Sequence, residues 1–119
     1  MTSSRPPLAS RRCQALPSGT KPLAVTAVAR LLPEVPGWKH SGGRLQRTFQ
    51  FGDFHQTMAF VNALAWIAHS EDHHPDLGVS FGGCSIAYST HSVRGISMND
   101  FICAAKINAL FDSDPAPRR

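Results

Sequence analysis

No stretch of this 119-residue chain is apolar for long enough to cross a membrane. The longest mostly apolar run, around Phe60 to Ala68, falls far short of the roughly 20 residues that a spanning helix needs. No transmembrane helix and no membrane partner are expected. Cysteine is scarce as well. Cys13, Cys84 and Cys103 are an odd number with no CxxC pairing, which implies neither a disulfide framework nor a zinc ribbon. Reduced thiols in a cytoplasmic protein are the plain expectation. The formal charge of +4 lacks a basic surface behind it. Five of the twelve Lys/Arg sit at the ends (Arg5, Arg11, Arg12, Arg118 and Arg119), and between Lys21 and Pro117 seven basic residues face eight acidic ones, a net of −1. A nucleic-acid binder carries its basic patch on the folded body, so no nucleic-acid partner is expected. The first 20 residues contain no acid and lack the apolar core of a secretory signal. An organelle-targeting segment shares their Ser, Pro and Arg content, but residues 1–19 are read as a disordered tail. Residues 20–112 form the domain and 113–119 a flexible C-terminal tail.

What is present is enough for one domain with one modest core. Hydrophobic residues make up 42% and charged residues 17%, the balance of an ordinary globular protein. Thr20 and Pro22 read as a helix start before Leu23–Leu32, and Pro33 and Pro36 as its end. A strand-like stretch from Trp38 turns at Ser41-Gly42-Gly43. Leu45, Phe49 and Phe51 then alternate with Gln46, Thr48 and Gln50, the pattern of a half-buried strand, with Arg47 interrupting the apolar face and so expected near an edge or a site. Asp53 and Gln56 form a capping-box-like pair. The helix they open repeats Phe54, Met58, Val61, Ala65 and Ala68 at helical spacing, widened by Phe60, Leu64 and Ile67. Leu77, Val79 and Phe81 alternate before a turn at Gly82-Gly83, and Cys84, Ile86 and Tyr88 alternate after it. Ser97 and Asp100 form a second capping box before a last helix with Ile102, Ala105 and Ala109 on one side. The order α-β-β-α-β-β-α predicts an α+β fold, a four-stranded antiparallel sheet with three helices on one face.

Four of the six histidines, His69, His73, His74 and His91, fall within 23 residues. His69 and His73 share a face if their helix reaches residue 73. Pro75 forces the residue before it out of the helical region, so His74 faces elsewhere and the helix end becomes a stiff corner carrying two imidazoles. His91, at the end of the second hairpin, is placed to return beside that corner. Such a cluster has three uses. Imidazoles titrate near neutrality and suit general acid–base chemistry. Two histidines at i and i+4 with a distant third ligand also suit zinc, although Ser70-Glu71-Asp72 stand where an HExxH motif would need its glutamate. A histidine at a helix end also serves as a cap or packing residue, the role left to His40 and His55.

The spacing His69-x3-His73-His74-Pro75-x5-Phe81-x9-His91-x8-Asp100 resembles the signature of the pterin-4a-carbinolamine dehydratases. The phrase Thr90-His91-Ser92-Val93-Arg94-Gly95-Ile96-Ser97 is similar to another of the family's segments. Pro36-Gly37-Trp38, the strand Arg47-Thr48-Phe49-Gln50-Phe51 and Asp53-Phe54 resemble family positions too, so the likeness runs from about residue 20 to 111. It implies the fold read above and the conversion of 4a-hydroxytetrahydrobiopterin to quinonoid dihydropterin with loss of water. That is a carbon–oxygen lyase reaction of tetrahydropterin recycling, needing no metal and no cofactor.

By the same resemblance His73 and His91 are the acid–base pair, His74 on Pro75 orients substrate, and Asp100 orients or charges a histidine. Asp100 also reads as a helix-capping carboxylate. Trp38 is offered as an apolar wall for the flat pterin, with a core role as the alternative. His69, where other members often carry an acid, would tune the charge of the site. Phe81 is expected in the core, Cys84 and Cys103 as packing residues, and Arg94 as a loop residue. The resemblance also implies a homodimer or homotetramer, in keeping with the free edges of a four-stranded sheet. The alternative function is a non-catalytic partner-binding module of the same fold.

Overall fold

The computed structural model describes residues 6–113. Its sheet contains β1 (Lys39–Ser41), β2 (Arg44–Gln50), β3 (Asp76–Ser80) and β4 (Gly83–Tyr88), all antiparallel in the order β1-β2-β4-β3. The helices are α1 (Val25–Leu31), α2 (Phe54–Glu71) and α3 (Met98–Ser113). This is the expected α+β architecture. Gly42 and Gly43 both hold positive φ, at 59° and 75°, which is why the β1–β2 turn falls on them. α1 begins later than Thr20-Pro22 suggests, because the Leu23 N–H is drawn to the carbonyl of Ile96 and the helix opens only after Ala24.

Alternation along the two central strands decides which face is covered. Leu45, Phe49, Cys84, Ile86 and Tyr88 are buried against the helices, while Gln46, Thr48, Gln50 and Ser85 lie exposed on the other face, where the Thr48 and Ser85 hydroxyls pair at 2.9 Å. Phe49 packs with tilted rings against Phe60 of α2 and Phe111 of α3, each at a ring-centroid separation of 4.9 Å. Burying side chains of this size contributes about 2–3 kcal/mol apiece.

Several elements differ from the periodic reading. The buried line of α2 is Thr57, Phe60, Leu64 and Ala68, whereas Phe54 and Ala65 are exposed. With apolar residues on both sides of the helix, spacing alone cannot pick the inward face. β3 is exposed along its whole length, and Leu77, Val79 and Phe81 are 40%, 42% and 68% exposed. It alternates as expected but lies at the sheet edge, where α2 reaches it only in part, and Phe81 falls in the turn after it and is not a core residue. Arg47 is on an interior strand rather than an edge. Its guanidinium lies 4.2 Å over the Phe49 ring and donates to Asn108 Oδ1 at 2.6 Å and to the Pro36 carbonyl. That close fit requires glycine at position 37, since a Cβ there would meet Arg47 Nε at 2.7 Å.

The N-terminal segment departs furthest from expectation. Residues 1–5 lie outside the described residues, as do 114–119 of the C-terminal tail. Residues 6–16, however, do not behave as the disordered tail expected over 1–19. A 3₁₀ turn at Leu8–Ser10 buries Leu8 in the core, and Lys106 of α3 donates to the Ala9 carbonyl at 2.9 Å. Arg12 pairs with Glu71 at 2.8 Å, and Gln14 exchanges two hydrogen bonds with Asn99. This arm covers a side of α3 that the sheet leaves open. As a result Phe101 through Ala105 are all buried, instead of one stripe through Ala109, which is exposed.

Candidate functional site

The corner after α2 is made by the backbone. Asp72 takes a left-handed conformation (φ 52°), and the N–H of His73 returns to the carbonyl of Ala68 at 3.0 Å. The helix therefore stops at Glu71, four residues short of Pro75, and His73 leaves the helical face that His69 occupies. His69 remains exposed on α2 beside Trp66, with the two ring centroids 5.8 Å apart.

His73 turns inward instead. Its ring stacks on Tyr88 at 5.0 Å, and the Tyr88 hydroxyl donates to the His73 carbonyl at 3.0 Å. Nε2 lies 2.6 Å from Oδ1 of Asp100, a carboxylate with no exposure to solvent. The other carboxylate oxygen, Oδ2, accepts from the Thr90 hydroxyl and the Ser97 N–H, each at 2.8 Å. The Asp100 carboxylate thus caps α3 and holds His73 at once. Burial, the largest single effect on the His73 pKa, pulls it down. The hydrogen bond and charge of Asp100, with Cys103 and Asp72 behind them, outweigh that pull and leave the pKa raised from 6.5.

A cleft of about 470 Å³ opens in front of this pair, lined by His73, His74, Pro75, Thr90 and His91 among others. His74 and His91 are both exposed. His91 opens a 3₁₀ turn, His91–Val93, whose ends are tied by the Thr90–Gly95 bridge and whose left-handed Arg94 (φ 57°) is exposed. The hairpin and the helix corner thereby bring His73, His74, Pro75, His91 and Asp100 to one place. Trp38 belongs elsewhere. It is buried, donates from Nε1 to Asn108 Oδ1 at 2.8 Å and meets Phe49 edge-on, so the structure makes it a core residue and not a wall of the cleft. His69 likewise lies outside the cleft lining. Among the described residues no three His, Cys, Asp or Glu side chains group as metal ligands.

The signature missed three participants. Thr90 stood in it only as a neighbour of His91, and Tyr88 looked like a core residue of an alternating strand. The third is the arm. Cys13, Gln14 and Leu16 line a second cavity, of about 400 Å³, that also borders His73, Thr90 and Asn99. A Ser- and Pro-containing terminus gave no periodic signal for that.

The family model for pterin 4 alpha carbinolamine dehydratase matches residues 21–110. The chain belongs to the pterin-4a-carbinolamine dehydratase family. A Stenotrophomonas maltophilia protein, provisionally named a pterin-4-alpha-carbinolamine dehydratase, is 54% identical over 111 residues, 92% of this chain and 96% of its own. A Xanthomonas campestris protein with the same provisional name is 53% identical over 89% of this chain and 92% of its own. Among solved structures, a transcriptional coactivator/pterin dehydratase from Brucella melitensis superposes with a TM-score of 0.73 at 27% identity, covering 76% of this chain and 98% of that one. A pterin dehydratase-like protein identified as a RuBisCO assembly factor in the alpha-carboxysome superposes with a TM-score of 0.57 at 26% identity, covering 66% and 93%. Solved structures of this fold are therefore described by roles other than dehydration as well.

Proposed function

We propose that this chain dehydrates 4a-hydroxytetrahydrobiopterin, or a related 4a-hydroxytetrahydropterin, to the quinonoid dihydropterin in tetrahydropterin recycling. The observation that carries this reading is the buried His73–Asp100 pair facing a cleft that also holds His74 and His91. The reaction breaks the C4a–O bond, removes the N5 proton and closes a C4a–N5 double bond, so it needs a proton donor at the hydroxyl and an acceptor at N5. Asp100 favours the imidazolium form of His73 and occupies its Nε2, leaving Nδ1 as the nitrogen that gives a proton to the departing oxygen. His91 accepts the N5 proton, and His74, turned by Pro75, orients the pterin. The cleft, at about 470 Å³, is within the usual range for a small-molecule site. No step assigned here draws on a metal or a cofactor.

We read the chain as a cytoplasmic homo-oligomer. No helix among the described residues is long and apolar enough to cross a membrane. The exposed β3 edge, with Leu77, Val79 and Phe81, is a surface on which a second copy can pair. That edge also favours the second reading, a partner-binding module without catalysis. A stopped assay with freshly prepared 4a-hydroxytetrahydropterin separates the two. Wild type is expected to exceed the spontaneous rate and His73→Ala to fall toward it. A wild type no faster than the spontaneous reaction leaves only the binding module.

A further inference from the structure

Cys13 and Cys103 are 90 positions apart in the chain and 3.5 Å apart at their sulfurs. Cys103 is wholly buried in α3, and Cys13 is half-buried on the arm. The arm is held on both sides of Cys13. Its own N–H donates to Glu71 Oε1 at 2.7 Å, Arg12 pairs with the same carboxylate, and Gln14 pairs with Asn99. The Cys13 sulfur also donates to the Asn99 carbonyl at 3.6 Å, and these contacts together keep the two sulfurs facing each other. A disulfide needs about 2.05 Å between sulfurs, a further approach of about 1.5 Å. The arm from Cys13 to Leu16 has no regular structure to resist that movement. The third cysteine, Cys84, is buried in β4.

We propose that Cys13 and Cys103 are a redox-responsive pair that closes to an intrachain disulfide with hydrogen peroxide, stapling the arm to α3. The half-exposed Cys13 is where the oxidant arrives. The hydrogen bond to Cys103 and burial raise the Cys13 thiol while Cys103 is lowered, so the pair loses one proton readily and shares the other across the 3.5 Å contact. With the shared proton on Cys103, the Cys13 sulfur attacks one peroxide oxygen as thiolate. The O–O bond breaks, the leaving hydroxide takes up the released proton as water, and Cys13 becomes a sulfenic acid. The Cys103 sulfur then attacks the Cys13 sulfur, the S–O bond breaks and a second water leaves. Two thiols and one peroxide give one disulfide and two waters, the sulfurs supplying the two electrons that reduce the peroxide. The setting suits the second attack. In the reduced pair, hydrogen bonding from Cys13, opposed by burial and helped by Tyr88 and the charge of His73, draws the Cys103 thiol toward its thiolate form, and Tyr88 and His73 stay in place once Cys13 carries the oxygen. Because Cys13 borders the cavity it shares with His73, the staple fixes one wall beside the proposed proton-transfer group. Only this last consequence rests on the dehydratase reading; the thiol chemistry does not.

The test uses the full chain, treated with hydrogen peroxide, then unfolded and labelled with N-ethylmaleimide for intact-mass and peptide analysis. Wild type is expected to fall from three labelled thiols to one, with a Cys13–Cys103 cross-linked peptide, and to regain all three with dithiothreitol. Cys84→Ser is expected to lose both remaining thiols to the same cross-link. Cys13→Ser is expected to form no intrachain disulfide, and because position 13 is half-exposed this variant serves even where Cys103→Ala does not fold. In the oxidised wild type, tryptic cleavage after Arg12 is expected to slow by about fivefold as opening of the arm is suppressed. Three thiols retained by wild type, a disulfide between chains, or oxidation of Cys13 to sulfinic acid without the cross-link each overturns the proposal.

Discussion

His73 and His91 are the same residue type on the same cleft, in opposite settings. His73 is mostly buried, stacked on Tyr88 and tied to a carboxylate with no solvent exposure. His91 stands exposed at the start of a short turn. Removing His73 or Asp100 strands a buried polar partner, whereas removing His91 leaves only solvent behind. Structural cost and chemical role therefore coincide at one histidine and separate at the other.

The largest effect is expected from Asp100→Ala. It leaves the Thr90 hydroxyl, the Ser97 N–H and the His73 ring without their shared acceptor. A loss of about 3–5 kcal/mol in urea unfolding is expected, together with turnover near the spontaneous rate. A loss under about 1 kcal/mol would mean that the buried pair is not the keystone of the corner.

His91→Ala sharpens the contrast. Turnover of 4a-hydroxytetrahydropterin should drop by about 10²–10⁴, while the unfolding midpoint moves by no more than about 0.5 kcal/mol. A variant that keeps full turnover removes His91 from the proton-transfer pair.

The pH dependence comes next in size. The His73 pKa is raised in the folded state above 6.5, so the native state binds the proton more tightly than the unfolded one. The resulting stabilisation is fully present below about pH 6.5 and is lost as pH rises through the folded pKa. Stability of wild type measured by urea unfolding should decline across that window, and the decline should vanish in His73→Gln. Glu71 gives the opposite slope at lower pH. Burial raises its pKa, but the Cys13 N–H, Lys106 and Arg12 together bring it below 4.5, so its contribution is present above about pH 4.5 and is lost as pH falls through the folded value. The smallest effect belongs to His69→Ala, which should change stability by less than about 0.5 kcal/mol and leave turnover as it is, since His69 lies on the solvent side of α2.

Much of this was legible in the amino-acid sequence. Alternation in Leu45–Phe51 and Cys84–Tyr88 carries one buried face through the two central strands. The Asp53 cap is realised as read, with its carboxylate accepting from the Gln56 N–H at 2.7 Å. The spacing of His73, Pro75, His91 and Asp100 also carried the family resemblance. The errors share a cause: hydrophobic periodicity reports that a residue is apolar on a given face, not whether another element covers that face. Leu77 and Val79 alternate correctly on an edge strand that α2 only partly reaches, Phe81 falls in the turn after it, and Trp38 is apolar with a donor that Asn108 satisfies.

The amino-acid sequence by itself determined the element order, the apolar and polar faces of the two central strands and the identity of the clustered histidines, because these follow from local spacing and backbone chemistry. Only the tertiary structure decided which histidine pairs with Asp100, since that depends on Asp72 ending α2 before His73 and turning its ring toward α3. It also decided the fate of the arm. Nothing in residues 6–16 signals order locally, yet Leu8, Arg12 and Cys13 find partners at positions 71 and beyond on surfaces that exist only once α2 and α3 have packed.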